Sequence, residues 1–309
     1  MFHQYCTSDF ASANWINYSD HHGNKGFSYD DYRWTGPLFF QALLGLCQLT
    51  NETIQNDLVV FRSSKYVTSV VQPEILFYSQ TQSLIDVFIS TTTDTFFQVF
   101  NMARYITDSN QIVSGVGSNF YAIAPSALSS THPVQFFPSY YSDCSCSIRS
   151  WCNETTRVYD SDTDDILYVM PGLITGCTIV YSALYSNLKC FYNQSCIDES
   201  KTFMGSIYSL DVTALNSSAQ SQYDPNSTVD AILAQLFVEK WNSGASFSSY
   251  YEQCRPLQCT FTYSGRNNIV YIVTTIIGLF GGLTKVLLVI IPSALKLVRR
   301  GKRPAEESE

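Results

Sequence analysis

Apolar and polar positions alternate differently along this chain, and the differences predict its elements. Between Ile75 and Ile106, apolar side chains recur three and four apart at Leu84, Val87, Phe88, Phe96, Val99, Phe100, Ala103 and Ile106. That spacing predicts a helix with one apolar stripe, started by Pro73 and Glu74, and the stripe reads as core with no binding role. The run Thr91–Thr93 predicts a break near its middle. A second helix is predicted over Val229–Trp241, with Ile232, Leu233, Leu236, Phe237 and Trp241 inward, Thr228 as cap and Asp230 in the first turn. Leu38–Leu49 and Ala183–Tyr192 read as further helices, and Asn119–Ile123 and Leu167–Met170 as short strands. The Cys-bearing stretch from Phe136 to Asp165 reads as a loop that separates two lobes. The body is expected to be a helix-rich α+β fold.

Periodicity vanishes between Ile269 and Leu295, where 27 residues carry a single charge, Lys285. A helix needs about 20 apolar residues to cross the hydrocarbon of a bilayer, so this one spans with some tilt. A core helix of a soluble domain is rarely apolar all round for so long. Lys296, Arg299, Arg300, Lys302 and Arg303 follow it, whereas Arg266 is the one nearby basic residue upstream. Basic flanks stay cytoplasmic, which puts residues 1–268 outside as an ectodomain, 269–295 in the plasma membrane and 296–309 inside as a basic tail. Tyr263 and Tyr271 suit the outer interface.

Composition and charge sharpen this picture. The chain has 309 residues, 14% charged and 15% aromatic, which excludes a disordered polymer. Its net charge of −8 argues against a nucleic-acid partner. The charge is divided unequally, −11 before residue 269 and +3 after it. All ten cysteines lie upstream of the apolar segment: Cys6, Cys47, Cys144, Cys146, Cys152, Cys177, Cys190, Cys196, Cys254 and Cys259. In an oxidising compartment they are expected to form up to five disulfides. Cys254–Cys259 and Cys190–Cys196 are suitable local closures, while Cys144 and Cys146 are too close to bridge each other. A zinc cluster of Cys144, Cys146 and Cys152 is the competing reading, and it lacks paired CxxC spacing. Six Asn-x-Ser/Thr sequons, at Asn17, Asn51, Asn153, Asn193, Asn216 and Asn226, also lie upstream and mark expected glycosylation sites. The first ten residues hold no basic and apolar leader, so a cleaved signal or another spanning helix is expected to precede Met1.

Catalytic patterns are missing from the sequence. There is no GxSxG, HExxH, GxxxxGK or GxGxxG, and no pattern calls for a cofactor. His21 and His22 beside Asp20 point apart on an extended chain. Asp160, Asp162, Asp164 and Asp165 begin like a calcium loop, but Asp165 stands where glycine is needed and Pro171 where the twelfth-position glutamate is needed. The expected role is non-catalytic binding of an extracellular ligand.

On the apolar helix, about 100° per residue brings Thr274, Gly278, Gly281, Gly282 and Lys285 to one face, opposite Ile276, Phe280, Leu283 and Leu287. Gly278 and Gly282 form a GxxxG pair, which predicts packing against another helix or a second copy of this chain. Lys285 lies about 7–8 Å past the midplane on the cytoplasmic side, within reach of the interface by snorkelling. A partner carboxylate or a wet gap between helices would satisfy it instead.

The elements CTSDF, WINY, MPGLITGC, CFYNQSCID, DVTALNSS, YYEQCRPLQCTFTY and YIVTTIIGLFGGL together resemble a group of uncharacterised invertebrate membrane proteins. That resemblance implies an earlier spanning helix before the ectodomain, with both chain ends cytoplasmic, and implies no activity. The layout is also similar to the degenerin and epithelial sodium channel family, which implies an oligomeric ion-channel subunit as the alternative function. Gly281–Gly282 fits that family. Gly282-Leu283-Thr284 departs from its Gly-x-Ser filter, the expected acidic residue is missing, and Lys285 would repel cations in a narrow pore.

Overall fold

The computed structural model describes residues 1–20, 27–68, 70–123, 134–204, 209–255, 258 and 268–300. His21, His22, Cys259, Tyr263, Arg266 and the tail beyond residue 300 lie outside the described residues. Residues 1–253 form one compact unit and residues 254–309 another.

The first unit contains α1 (Ala13–Ser19), α2 (Tyr32–Ser63) and α3 (Glu74–Ser109), then three hairpins. Strands β1 (Phe120–Ile123) and β2 (Gln135–Pro138) pair antiparallel, as do β3 (Tyr140–Tyr141) and β4 (Cys144–Ser145). The longest hairpin joins β5 (Asn153–Tyr159) to β6 (Ile166–Gly176). After it come α4 (Ile179–Tyr185), α5 (Gln194–Met204), α6 (Val229–Leu233) and α7 (Phe247–Cys254). The expected α+β character is present, with helices dominating and strands confined to small two-stranded sheets. Residues 136–165 hold strands where a loop was expected, and they lie inside this one unit.

The helix expected over Leu38–Leu49 extends to Tyr32–Ser63 because Asp31 caps it, its Oδ1 accepting from the Arg33 N–H at 2.7 Å. The break expected at Thr91–Thr93 does not occur. Thr93 donates to the Ile89 carbonyl at 2.8 Å and Thr92 to Asp57 of α2 at 2.8 Å, so the hydroxyls are satisfied without opening the helix. The core assignment of the α3 stripe is corrected more deeply. Phe96 is buried, but Leu84, Val87, Val99 and Ile106 are exposed, because α2 covers α3 from one side and, among the described residues, no continuous layer covers these positions on the other.

The long helix expected over Val229–Trp241 stops at Leu233. Leu236 and Phe237 adopt φ of 56° and 54°, a costly left-handed conformation for such residues, and both are completely buried. That turn aims the Phe237 carbonyl at the His3 N–H, 2.6 Å away, and Phe2 bridges Val238. Similarly, Ala183–Tyr192 divides into the end of α4 and a separate 3-10 turn, Lys189–Tyr192, so that Phe191 enters the core and Cys190 meets Cys196.

The MPGLITGC element has a clear physical basis. The register jumps from Thr155↔Ile174 to Arg157↔Val169, so β6 bulges over Met170–Leu173 while burying both of those side chains. Gly172 sits in the bulge at φ 82°, where a Cβ would collide with the Asn187 side chain, and its carbonyl accepts from the Asn187 N–H at 2.8 Å.

Four disulfides staple this unit: Cys6–Cys47, Cys144–Cys152, Cys146–Cys177 and Cys190–Cys196. The three cysteines of the competing zinc reading are therefore bridged. Cys254 is exposed and unbridged, so the closure expected with Cys259 is not seen at its described end.

In the second unit, α8 (Ile269–Arg300) is one continuous helix. Ile269–Leu297 is long and apolar enough to cross a membrane, and each of its side chains is exposed.

Two stability measurements follow from this architecture. Cys6–Cys47 closes a separation of 41 residues and Cys190–Cys196 one of 6. Loop entropy then makes paired alanine replacement cost about 4 kcal/mol at the first bridge and about 2 at the second, to be read from urea unfolding of the full chain. A reversed order would mean that loop entropy does not govern these bridges. The second measurement concerns His3, which is buried, accepts from the Tyr5 N–H through Nδ1 at 3.3 Å and lies 3.3 Å from the Tyr192 hydroxyl and 3.8 Å from Glu239. Burial holds its pKa below the ordinary 6.5, and the nearby Glu239 carboxylate opposes that shift only in part. The unfolded chain therefore binds the proton first, and stability should fall as pH drops from 6.5 toward the folded value. His3→Asn, which keeps an acceptor for the Tyr5 N–H, should flatten that part of the urea-midpoint profile; an unchanged profile would assign the pH dependence elsewhere.

Candidate functional site: a groove at the end of α3

The last turns of α3 and the start of α4 reach the two disulfides of the hairpin region, and an open groove of about 380 Å³ lies between them. That volume is within the range of small-molecule sites. The floor is fixed covalently by Cys146–Cys177 and, beside it, Cys144–Cys152. Tyr141 packs with these sulfurs and donates to the Ser118 carbonyl at 2.9 Å. Ser118 in turn donates to the Cys177 carbonyl at 2.9 Å, which locks the loop before β1 onto the bridge. Asn119 accepts from the Ser114 N–H and donates to the Ile112 carbonyl, both at 2.8 Å, so the chain leaving α3 is held at the groove edge.

The walls combine aromatic surface with two opposite charges. Arg104 and Asp108 stand one turn apart on α3, and both engage Tyr181 of α4. The Arg104 guanidinium lies 4.5 Å from the Tyr181 ring centre and 5.7 Å from that of Phe100. It donates to Asn101 Oδ1 at 3.2 Å and comes within 3.8 Å of the Asp230 carboxylate. The Tyr181 hydroxyl donates to Asp108 Oδ2 at 2.6 Å. Burial, then that bond to a carboxylate, pushes the phenol above its ordinary pKa, so Tyr181 remains a neutral donor at physiological pH. Along the rim, Tyr105 is 72% exposed, Trp151 53% and Ile148 79%. Large apolar side chains this open beside a preformed hollow are the usual surroundings of a ligand.

A second hollow, about 440 Å³, is lined by Asp30, Asp31, Arg33, Tyr159, Asp160 and Asp164 among others. Most of its polar groups are committed to the fold, whereas the buried Asp30 Oδ1 has no hydrogen-bond partner among the described residues. Asp31 caps α2, binds the Arg33 guanidinium at 2.7 and 3.0 Å and accepts from the Tyr159 N–H at 3.1 Å. Asp160 accepts from the Asp162 and Thr163 N–H groups, which holds its carboxyl below the usual range and builds a turn from the acidic run. No group of three His, Cys, Asp or Glu among the described residues is arranged to hold a metal ion.

The other sequence-selected residues fall in separate places. Asn17, Asn51, Asn153, Asn193, Asn216 and Asn226 are all exposed, as a glycan acceptor must be. Asn193 also caps α5, its side-chain oxygen accepting from the Ser195 N–H at 3.0 Å. Thr274, Gly278, Gly281, Gly282 and Lys285 are exposed on α8, and a Cβ placed on any of these glycines would meet no atom within 4 Å. The groove residues Tyr105, Asp108, Trp151 and Tyr181 carry no motif, and sequence reading passed over them. Their one local signal is the surplus of large apolar residues around α3, more than a single buried stripe needs.

Compared with known proteins, the chain matches no protein-family model, no curated protein and no solved structure.

Proposed function

We propose that this chain is a membrane-anchored cell-surface protein that binds an extracellular ligand in the groove at the end of α3 and performs no catalysis. The carrying observation is a partition: four disulfides staple the unit upstream of the one described helix that is apolar enough to span a bilayer. Disulfides persist in oxidising compartments, and the basic residues after α8 favour a cytoplasmic tail. Exposure of all six sequon asparagines supports the same side for residues 1–268. Within α8 the hydroxyls of Thr274, Thr275 and Thr284 donate to carbonyls of the preceding turn at 2.7–2.9 Å, which satisfies them in hydrocarbon. A channel subunit is the second reading; it rests on the layout similarity, and it requires Lys285, on the small-residue face of that helix, to line a wet gap between helices without blocking cations.

The partition is tested on the chain in its own cells. Peptide-N-glycosidase should lower its mass, and thiol labelling should find the eight bridged cysteines unreactive until reduction. Free reactive thiols without glycan would place the body in the cytosol and end this reading.

The face of Thr274, Gly278, Gly281, Gly282 and Lys285 is the proposed packing surface of α8, since small residues let helix backbones approach in lipid. Gly282→Leu should lower the crosslinked fraction in membranes, while Leu283→Ala on the opposite face changes little. Equal crosslinking by both variants and wild type would leave α8 a simple anchor.

A further inference from the structure

We infer that the open face of α3 is the surface on which two copies of this chain pair, with their α3 helices antiparallel. At about 100° per residue, Leu84, Val87, Thr91, Thr95, Val99 and Met102 fall within about 60° of one line along α3, and Asp86, Asp94 and Arg104 fall outside that arc. The four apolar members are 46–58% exposed, and both threonines are exposed with them. The result is an uncharged strip about 27 Å long. Half-exposed side chains of this number, with Gln98 and Ile106 at their flanks, offer roughly 500 Å² per copy. A pair then buries about 1,000 Å² in all, the size at which specific interfaces begin. No sequon falls between Asn51 and Asn153, so α3 has no site for an N-linked glycan that would hold a second copy away.

The order of residues along the strip names its occupant. Their spacings are three, four, four, four and three, and their types mirror one another from either end: Leu, Val, Thr, Thr, Val, Met. A foreign helix, or another segment of this chain, would impose no such symmetry. An antiparallel two-fold contact does impose it, because a residue that meets a second one must be met by that same residue on the other copy. With the axis beside residue 93, Leu84 meets Met102 of the second copy, Thr91 meets its Thr95, and Val87 and Val99 share the level between. The threonines carry an independent sign. Among the described residues the Thr92 hydroxyl binds Asp57 and the Thr93 hydroxyl binds the Ile89 carbonyl, whereas the Thr91 and Thr95 hydroxyls have no protein partner. Across the axis one can donate to the other, which satisfies a hydroxyl that leaves water.

The test uses the full chain in the membranes of the expressing cells. Leu84→Cys and Met102→Cys are combined in one chain, oxidised with copper phenanthroline and run on non-reducing gels. The double variant should give a reducible band at twice the chain's mass, because these two positions face each other across the axis. Either variant alone should give no more than wild type, whose exposed Cys254 sets the background, since identical positions in the pair lie about 27 Å apart. The two single variants, co-expressed with different tags, should bridge to each other and repeat the result with one exposed residue changed per chain. Thr91→Glu, exposed in a single copy, places charge beside the axis and should abolish the band. Single variants that bridge as well as the double would show parallel pairing and overturn the register. A band that survives Thr91→Glu would overturn the strip as the contact. No band in either format would overturn self-pairing and leave this face to another protein or to a segment of this chain.

Discussion

Four rings from four parts of the chain meet in the core, and the rest of the first unit is arranged around that meeting. Phe10 packs on Trp15 at 5.1 Å and on Phe191 at 5.0 Å; Phe40 packs on Trp15 at 5.3 Å and on Phe191 at 5.6 Å. All four of these contacts are tilted or edge to face, the arrangement that the quadrupoles of the rings favour. Cys6–Cys47 ties the segment bearing Phe10 to the helix bearing Phe40, and Cys190–Cys196 fixes the turn bearing Phe191. The cluster thus sets how α2 is oriented, and α2 then carries α3.

From that anchor, α2 and α3 run on for about 48 and 54 Å as a helical pair. Two layers bury one face each. The outer face of α3 consequently stays open, with Leu84, Val87 and Val99 in solvent, while the Thr92–Asp57 bond holds the pair together at mid-length. Where α3 ends, the disulfide-bound hairpins rise against it and close the groove on a second side. Rigid sulfur bridges under the groove and a helical wall beside it pre-form its geometry, so that little would have to be ordered on binding of a small ligand.

The same logic explains why the exposed apolar surface of this protein divides into two kinds. On α8 it runs the length of the helix and is broken on one face by Thr274, Gly278, Gly281, Gly282 and Lys285, a pattern compatible with a bilayer-crossing helix. On α3 and the hairpins it is interrupted by Arg104, Asp108 and the neighbouring serines, a mixture suited to water and to a small polar-apolar ligand.

By itself the sequence determined what depends on local pattern: the apolar run from Ile269, the helical period after Pro73 and the local closure of Cys190 on Cys196. Each follows from neighbours within a few turns. Tertiary structure alone decided which face of α3 is covered, since periodicity gives an apolar stripe without saying whether a partner exists. It also decided that the chain turns at Leu236 and Phe237, where burial and the His3 bond outweigh a helical pattern. The groove belongs to this second class. Asp108, Trp151 and Tyr181 are tens of residues apart, and only the Cys146–Cys177 bridge and the packing of α4 beside α3 bring one carboxylate and three rings to a common hollow.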